Sequence, residues 1–210
     1  MQRAAVGRLR RIRAVAVACS LPTATARDRE LGVTYSVVEL YNLWYGFSRS
    51  LYLSAAFGAR DATGLRVALT VTPRPRTVEE ALTYAIRLRP SHKTRNPPWR
   101  WQDEPSWART KILLDSLAAI GASNGVQVIS ALSSTSRVFD ELEPFRHFFA
   151  HRGKDTLQRL PTVVRAHSIP VSLRPTDALL TPATVLGVLR PQPLILDWID
   201  DVNDAVAQAI

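Results

Sequence analysis

Arg146, His147 and His151 stand within six residues of one another, in a stretch that also carries Asp140, Glu143, Arg152 and Lys154. A guanidinium binds phosphate oxygens through two parallel hydrogen bonds and stabilises charge that grows in a transition state. An imidazole, with an ordinary pKa of about 6.5, takes and returns protons near neutrality. RNA brings its own nucleophile, the 2′-hydroxyl, so a base beside it and a cation on the phosphate suffice for cleavage without metal or cofactor. On a helix, Val138, Leu142, Phe145 and Phe149 form one stripe that must face a core. Asp140, Glu143, His147, His151 and Lys154 fall on the other side, with His147 and His151 stacked one turn apart and Arg146 beside them. Pro144 removes one backbone hydrogen bond and is expected to kink or restart the helix. A restart would put Arg146 and the histidines in first turns, where free N–H groups and the helix dipole favour an anion.

Other constellations offer different chemistry. His147 and His151 also have the i, i+4 spacing of zinc ligands, but Phe148 holds the place of the metalloprotease glutamate. A His-ligated metal hydrolase would need Glu143 or His167 as third ligand, and no metal site is expected. Asp200-Asp201-Val202-Asn203-Asp204 has the D-D-x-x-D spacing that grips magnesium diphosphate, without a second acidic motif. With Asp197 these acids read as the wet side of a last helix whose inner face is Leu194, Trp198, Val202 and Ala205, or as a strip that meets a basic second subunit. The run Arg95-Asn96-Pro97-Pro98-Trp99-Arg100-Trp101, with Trp107 beyond, interleaves aromatics and arginines. Such loops stack unpaired bases and hold phosphates, although tryptophan in a proline-rich loop also plugs its own domain's core. Trp99, Arg100, Trp101, Arg152 and Lys154 are thus the candidate substrate contacts.

The elements that must position these groups follow from pattern. The chain has 210 residues, 46% hydrophobic and 21% charged, an ordinary globular mixture of one domain or one domain with an appendage. Cys19 is the single cysteine and excludes an intrachain disulfide framework or a Cys-based zinc cluster. No apolar run approaches the ~18 residues of a membrane span, and there is no phosphate-binding glycine loop or nucleophile elbow. The net charge of +9 is uneven: residues 1–30 hold seven arginines against two acids, and residues 191–210 hold four aspartates and no Lys or Arg. The middle is basic in its own right, which favours an anionic partner such as nucleic acid.

Residues 1–28 imitate a secretory or transit signal, with a basic start, an apolar run from Ala14 to Leu21 and the small residues Thr23-Ala24-Thr25-Ala26. A basic arm and a stretch upstream of the true start codon are the other readings, and the folded domain, 29–210, is expected to begin near Arg29. Val37, Leu40, Tyr41, Trp44, Phe47, Leu51 and Phe57 mark one face of a long helix from Thr34. Leu65, Val67, Leu69 and Val71 alternate with Arg66, Ala68, Thr70 and Thr72 as in a half-exposed strand. Thr77 starts a short helix to about Arg89; residues 90–105 are a proline-rich loop. Helices are expected over 106–119, 126–133 and from a Ser136 cap to at least His151, with irregular connections around a short helix over 161–193 and a last helix from Leu194 to Ala209. The sum is mainly α: an up-and-down helical bundle with a small β element and long Pro-rich loops.

Arg146-His147-Phe148-Phe149-Ala150-His151 resembles the R-x4-6-H motif of the HEPN superfamily, the higher eukaryote and prokaryote nucleotide-binding helical domains. Phe145 to Gly153 is similar to the "RNxxAHR" form of that motif, over about nine residues of the chain. Members are small helical bundles that often dimerise so that the motifs of two subunits meet, and many are metal-independent endoribonucleases of toxin–antitoxin, phage-defence or CRISPR systems. The resemblance implies Arg146 and His151 as catalytic residues with His147 in support, RNA as substrate, a homodimer and an antitoxin or defence-system partner; with no apolar run of spanning length, no membrane partner and a cytoplasmic location are expected. Gly153 stands where nucleotidylated members carry a tyrosine, so that form of regulation is not implied.

Overall fold

Apolar periodicity and its stop signals set the order of elements. The computed structural model describes residues 1–61, 63–133, 136–185 and 188–209, with the backbone alone at 136 and 185. Along it run α1 (Gln2–Ser20), α2 (Ala26–Ala56), α3 (Val78–Ile86), α4 (Thr110–Ala119), α5 (Gly125–Ser133), α6 (Ser136–His151), α7 (Lys154–Leu157), α8 (Leu160–Ala166) and α9 (Pro175–Leu179). The strands β1 (Pro182–Val185) and β2 (Val188–Pro193) and the helix α10 (Leu194–Gln208) follow. The fold is mainly helical, as the sequence pattern implies, and among the described residues it carries one small antiparallel sheet, which lies in the stretch 161–193 expected to be irregular. No described helix is long and apolar enough to cross a membrane. The capping role expected of the Ser136 side chain lies outside the described residues.

The chain divides into two compact units: Arg3–Leu43 with Arg137–Asp204, and Trp44–Ser136 with Met1–Gln2 and Ala205–Ile210. In the first, the arginine-rich start is helix α1, whose Leu9, Ile12, Ala16 and Cys19 are buried. Arg8 donates to Glu39 of α2 at 2.6 Å and Arg13 to Asp200 of α10 at 3.1 Å. A Cβ on Gly32 would meet the Cys19 Cβ at 2.6 Å, so glycine is what lets α2 approach α1 this closely. Residues 1–28, expected as an extension, therefore supply a packed helix, and Arg29, the expected start of the fold, lies inside α2. An alanine-rich stripe reads as a weak signal segment locally, and only its partners reveal it as a core face.

In the second unit, Trp44 donates its indole N–H to the Ala108 carbonyl at 3.0 Å, and Tyr52 its hydroxyl to the Ala81 carbonyl at 2.6 Å. Phe57, expected on the inner face of α2, lies past its end and is exposed. Thr77 caps α3 by accepting from the Glu80 N–H at 3.2 Å, while the Glu80 carboxylate accepts from the Arg76 N–H. The strand expected over 65–71 forms no ladder. It bonds to successive turns instead: Val67 N–H to the Ala59 carbonyl, Thr70 N–H to that of Gly121, and Val71 N–H to that of Ile120. Among the described residues its one strand-like pairing is the single antiparallel bridge of Arg66 with Arg60, and the sheet is the β1–β2 hairpin of the first unit, paired Pro182 with Pro193 and Thr184 with Leu189.

Candidate functional site

Helix α6 carries the site on the face opposite its buried stripe. Val138, Leu142, Phe145 and Phe149 are all buried, and the Phe145 ring meets Trp198 of α10 edge-on at 5.6 Å between centroids. Because this stripe continues across Pro144, both halves of the helix are held against one core, and α6 runs through the proline without restarting. That corrects the expected first-turn anion site. Arg146 and His147 lie in the C-terminal half and His151 is the last helical residue, so the anion-favouring end of the dipole is at Ser136, well away from them.

The histidine pair forms as its spacing demands. The rings of His147 and His151 are stacked at 6.0 Å between centroids and 23° between planes, with His147 half-buried and His151 exposed. The Glu143 carboxylate sits 3.7 Å from His147 Nε2, one turn back. Arg146 lies on α2: its guanidinium carbon is 5.3 Å from the centre of the Tyr41 ring, and its Nε is buried with no hydrogen-bond partner. Five residues separate Arg146 from His151, about 140° around a helix, which is why the two groups leave α6 in different directions.

The end of α6 is tied down. Arg152 adopts a left-handed backbone (φ 48°), its N–H bonds the Phe148 carbonyl at 2.7 Å, and its guanidinium pairs with Glu30 at 2.7 Å. Glu30 in turn accepts from the Thr176 hydroxyl. Arg152, a candidate substrate contact, is thus engaged within the fold. Lys154 is exposed and lies at the rim of a largely apolar cavity of about 550 Å³ that Leu157, Val164 and Arg174 also line.

The polar network on the inner side of α6 is absent from the sequence reading. Glu141 is 8% exposed and His167 3%. His167 Nε2 donates to Glu141 Oε2 at 2.7 Å, and Arg137 donates to the other carboxylate oxygen. Only the i, i+4 spacing of Arg137 and Glu141 was available as a signal, because the histidine arrives from α8's C-terminal end, 26 residues on. His167, a candidate zinc ligand by sequence, is committed to Glu141. Among the described residues no group of three His, Cys, Asp or Glu side chains is placed to hold a metal ion.

On α10, Leu194, Trp198, Val202 and Ala205 are buried as expected, but so is Asp197, assigned by pattern to the wet side. Gln192 donates to Asp197 at 2.7 Å and to Asp200 at 2.9 Å, and Asp200 meets Arg13 of the same chain. Burial, with the Asp197 charge adding to it, pushes the Asp201 carboxyl up to about 6.

The tryptophan-rich segment belongs to the other unit and splits three ways. Trp107 is fully buried and donates to Glu104 at 3.0 Å, the core plug that composition suggested. Trp99 is half-buried, donates to the Thr83 hydroxyl at 2.7 Å and carries the Arg95 guanidinium 5.8 Å from its ring centre. Trp101 is 85% exposed and Arg100 is exposed beside it. The Asp103 carboxylate fixes this loop by accepting from the Arg100 N–H at 2.8 Å, from His92 at 3.1 Å and from Arg95 at 3.1 Å. Chiefly the Arg100 N–H, with His92 and Arg95, holds that carboxyl below the usual carboxylate range.

No family model, characterised protein or solved structure matches the chain.

Proposed function

We propose that the chain is a metal-independent endoribonuclease of the HEPN type, working as a homodimer in a cytoplasmic toxin or antiviral-defence system restrained by a partner such as an antitoxin. The observation that carries this reading is the stacked, solvent-reachable pair His147–His151 with Glu143 behind it. Two imidazoles one turn apart, both free of the core, suit a reaction that removes one proton and delivers another.

In this proposal His151 takes the proton of a ribose 2′-hydroxyl, the 2′-oxygen attacks phosphorus, and the bond to the 5′-oxygen breaks. The leaving 5′-oxygen gains a proton, and the products end in 2′,3′-cyclic phosphate and 5′-hydroxyl. His147, steadied by Glu143, orients or assists His151. Arg146 clamps the phosphate as its charge grows. Because Arg146 lies over Tyr41 and leaves α6 in a different direction from His151 of its own copy, the proposed site requires His151 of a second copy to complete it.

The purified protein is expected to cleave RNA in EDTA, and His151→Ala to remove that activity with unchanged circular dichroism. Full activity in that variant overturns the proposal. The engagement of Arg152 with Glu30 and of Arg146 with Tyr41 favours a second reading, a non-catalytic binding or assembly protein on the same helices. That reading expects no cleavage and no growth arrest on induction, whereas the nuclease arrests growth and Arg146→Ala relieves it.

A further inference from the structure

Beyond the α6 chemistry, we infer that the loop from Arg87 to Trp101 is a binding surface for single-stranded polynucleotide, with Trp101 as its base-stacking platform. Three observations meet there. Trp101 is the most exposed large apolar side chain among the described residues, and leaving an indole in water is unfavourable unless something is to cover it. Its backbone is not loose: the Asp103 carboxylate accepts the preceding N–H, and the Trp101 carbonyl accepts from Glu104 at 3.3 Å. The backbone that carries the ring is therefore held in place, which lowers part of the entropic cost of stacking on it.

Charge selects the partner. Residues 81–102 contain Arg87, Arg89, Lys93, Arg95 and Arg100 and no acid. Arg87 donates to the Asn96 side chain at 2.9 Å and Arg89 to the Glu104 carbonyl at 3.0 Å, neutral acceptors that position a guanidinium without neutralising it. Arg95 alone in this run pairs with a carboxylate among the described residues, and it also covers Trp99. Fixed cations interleaved with an open aromatic face suit a chain of phosphates carrying unpaired bases, because every base has a π-face and every linkage a charge. A protein partner for Trp101 would have to bring acids against all of these cations at once. The inference uses none of the α6 residues and does not rest on their activity.

The test is fluorescence anisotropy of a short labelled oligo(dT), which lacks the 2′-hydroxyl and so cannot undergo the cleavage proposed for α6. Oligo(U) and a duplex of equal length run beside it. Wild-type protein is expected to bind both single strands and to prefer them to the duplex. Tighter binding of oligo(U) identifies RNA as the ligand, and equal binding a platform indifferent to the sugar. Trp101→Ala is expected to weaken single-strand binding roughly tenfold and Trp101→Phe to keep most of it. Lys93→Ala and Arg100→Ala should each flatten the dependence of log affinity on log salt by about 0.7. No binding by the wild type, equal affinity in Trp101→Ala, or a duplex preference overturns the inference. So does a Trp101→Ala effect confined to self-association of the protein alone.

Discussion

His167 Nε2 lies 2.7 Å from Glu141 Oε2, and both side chains are at least nine-tenths enclosed. Inside a protein each of these groups has exchanged water for the other, so removing one strands its partner. Glu141→Ala is expected to lower the unfolding free energy by about 3 kcal/mol, read as a fall in the urea midpoint. Glu141→Leu combined with His167→Leu is expected to recover much of that loss, because no buried polar group is then stranded and the half-exposed Arg137 guanidinium turns to water. If the double variant is as unstable as the sum of the single ones, the pair is not the reason for the loss.

The Tyr41 ring under Arg146 makes Tyr41 a positioning residue for the proposed phosphate clamp. A cation over an aromatic face is worth about 0.5–2 kcal/mol, more as it is desolvated. Tyr41→Leu is expected to lower the RNA cleavage rate by about tenfold, mostly in kcat, and Tyr41→Phe to leave it near the wild-type value. A loss confined to KM would place Arg146 in ground-state binding only.

Gly121 has φ 59°, and a Cβ there would come within 1.7 Å of the Thr70 hydroxyl oxygen. Gly121→Ala must bear both the left-handed backbone and the clash, and is expected to cost about 3 kcal/mol in chemical denaturation. Pairing it with Thr70→Gly should restore the steric part and leave about 1 kcal/mol of backbone cost. No rescue by the second change would show that the turn after α4 fails for another reason.

Asp201, pushed up to about 6 by burial and the Asp197 charge, destabilises the fold when it ionises. Its folded pKa lies above the unfolded one, so the unfolded chain binds fewer protons between about pH 4 and 6 and stability falls as pH rises through that window. Asp201→Asn is expected to raise Tm at pH 7.5, corresponding to about 1 kcal/mol of added stability after allowance for solvent screening. The advantage should shrink below pH 6 and vanish near pH 4. An advantage that does not vary with pH would assign the effect to packing.

What could be read along the chain was whatever one element decides by itself. The stripe Val138–Leu142–Phe145–Phe149, the stacked His147 and His151 and the Thr77 cap depend on spacing within a helix or its first turn, and each stands where spacing puts it. Legibility failed where a second element decides. Pro144 suggested a break, and the core contact of Phe145 with Trp198 holds the helix through it. Asp197 is an acid that pattern places outside, yet Gln192 meets it inside, and Glu141, which pattern assigns to neither face, meets His167 in the core. The alternation over 65–71 is real, but a strand needs a neighbour along its length, and among the described residues it finds one bridge, Arg66 with Arg60, and otherwise turns. Trp99, Trp101 and Trp107 are indistinguishable by composition and end up half-covered, open and buried.

Helix α1 places Leu9, Ile12 and Ala16 in the core and spends Arg8 and Arg13 on Glu39 and Asp200. A chain trimmed back to Arg29 would therefore not shed a tail. It would open a hole along α2 at Gly32, take the arginine partners from Glu39 and Asp200, and hand the remaining helices to whatever protease or neighbouring chain reached them first.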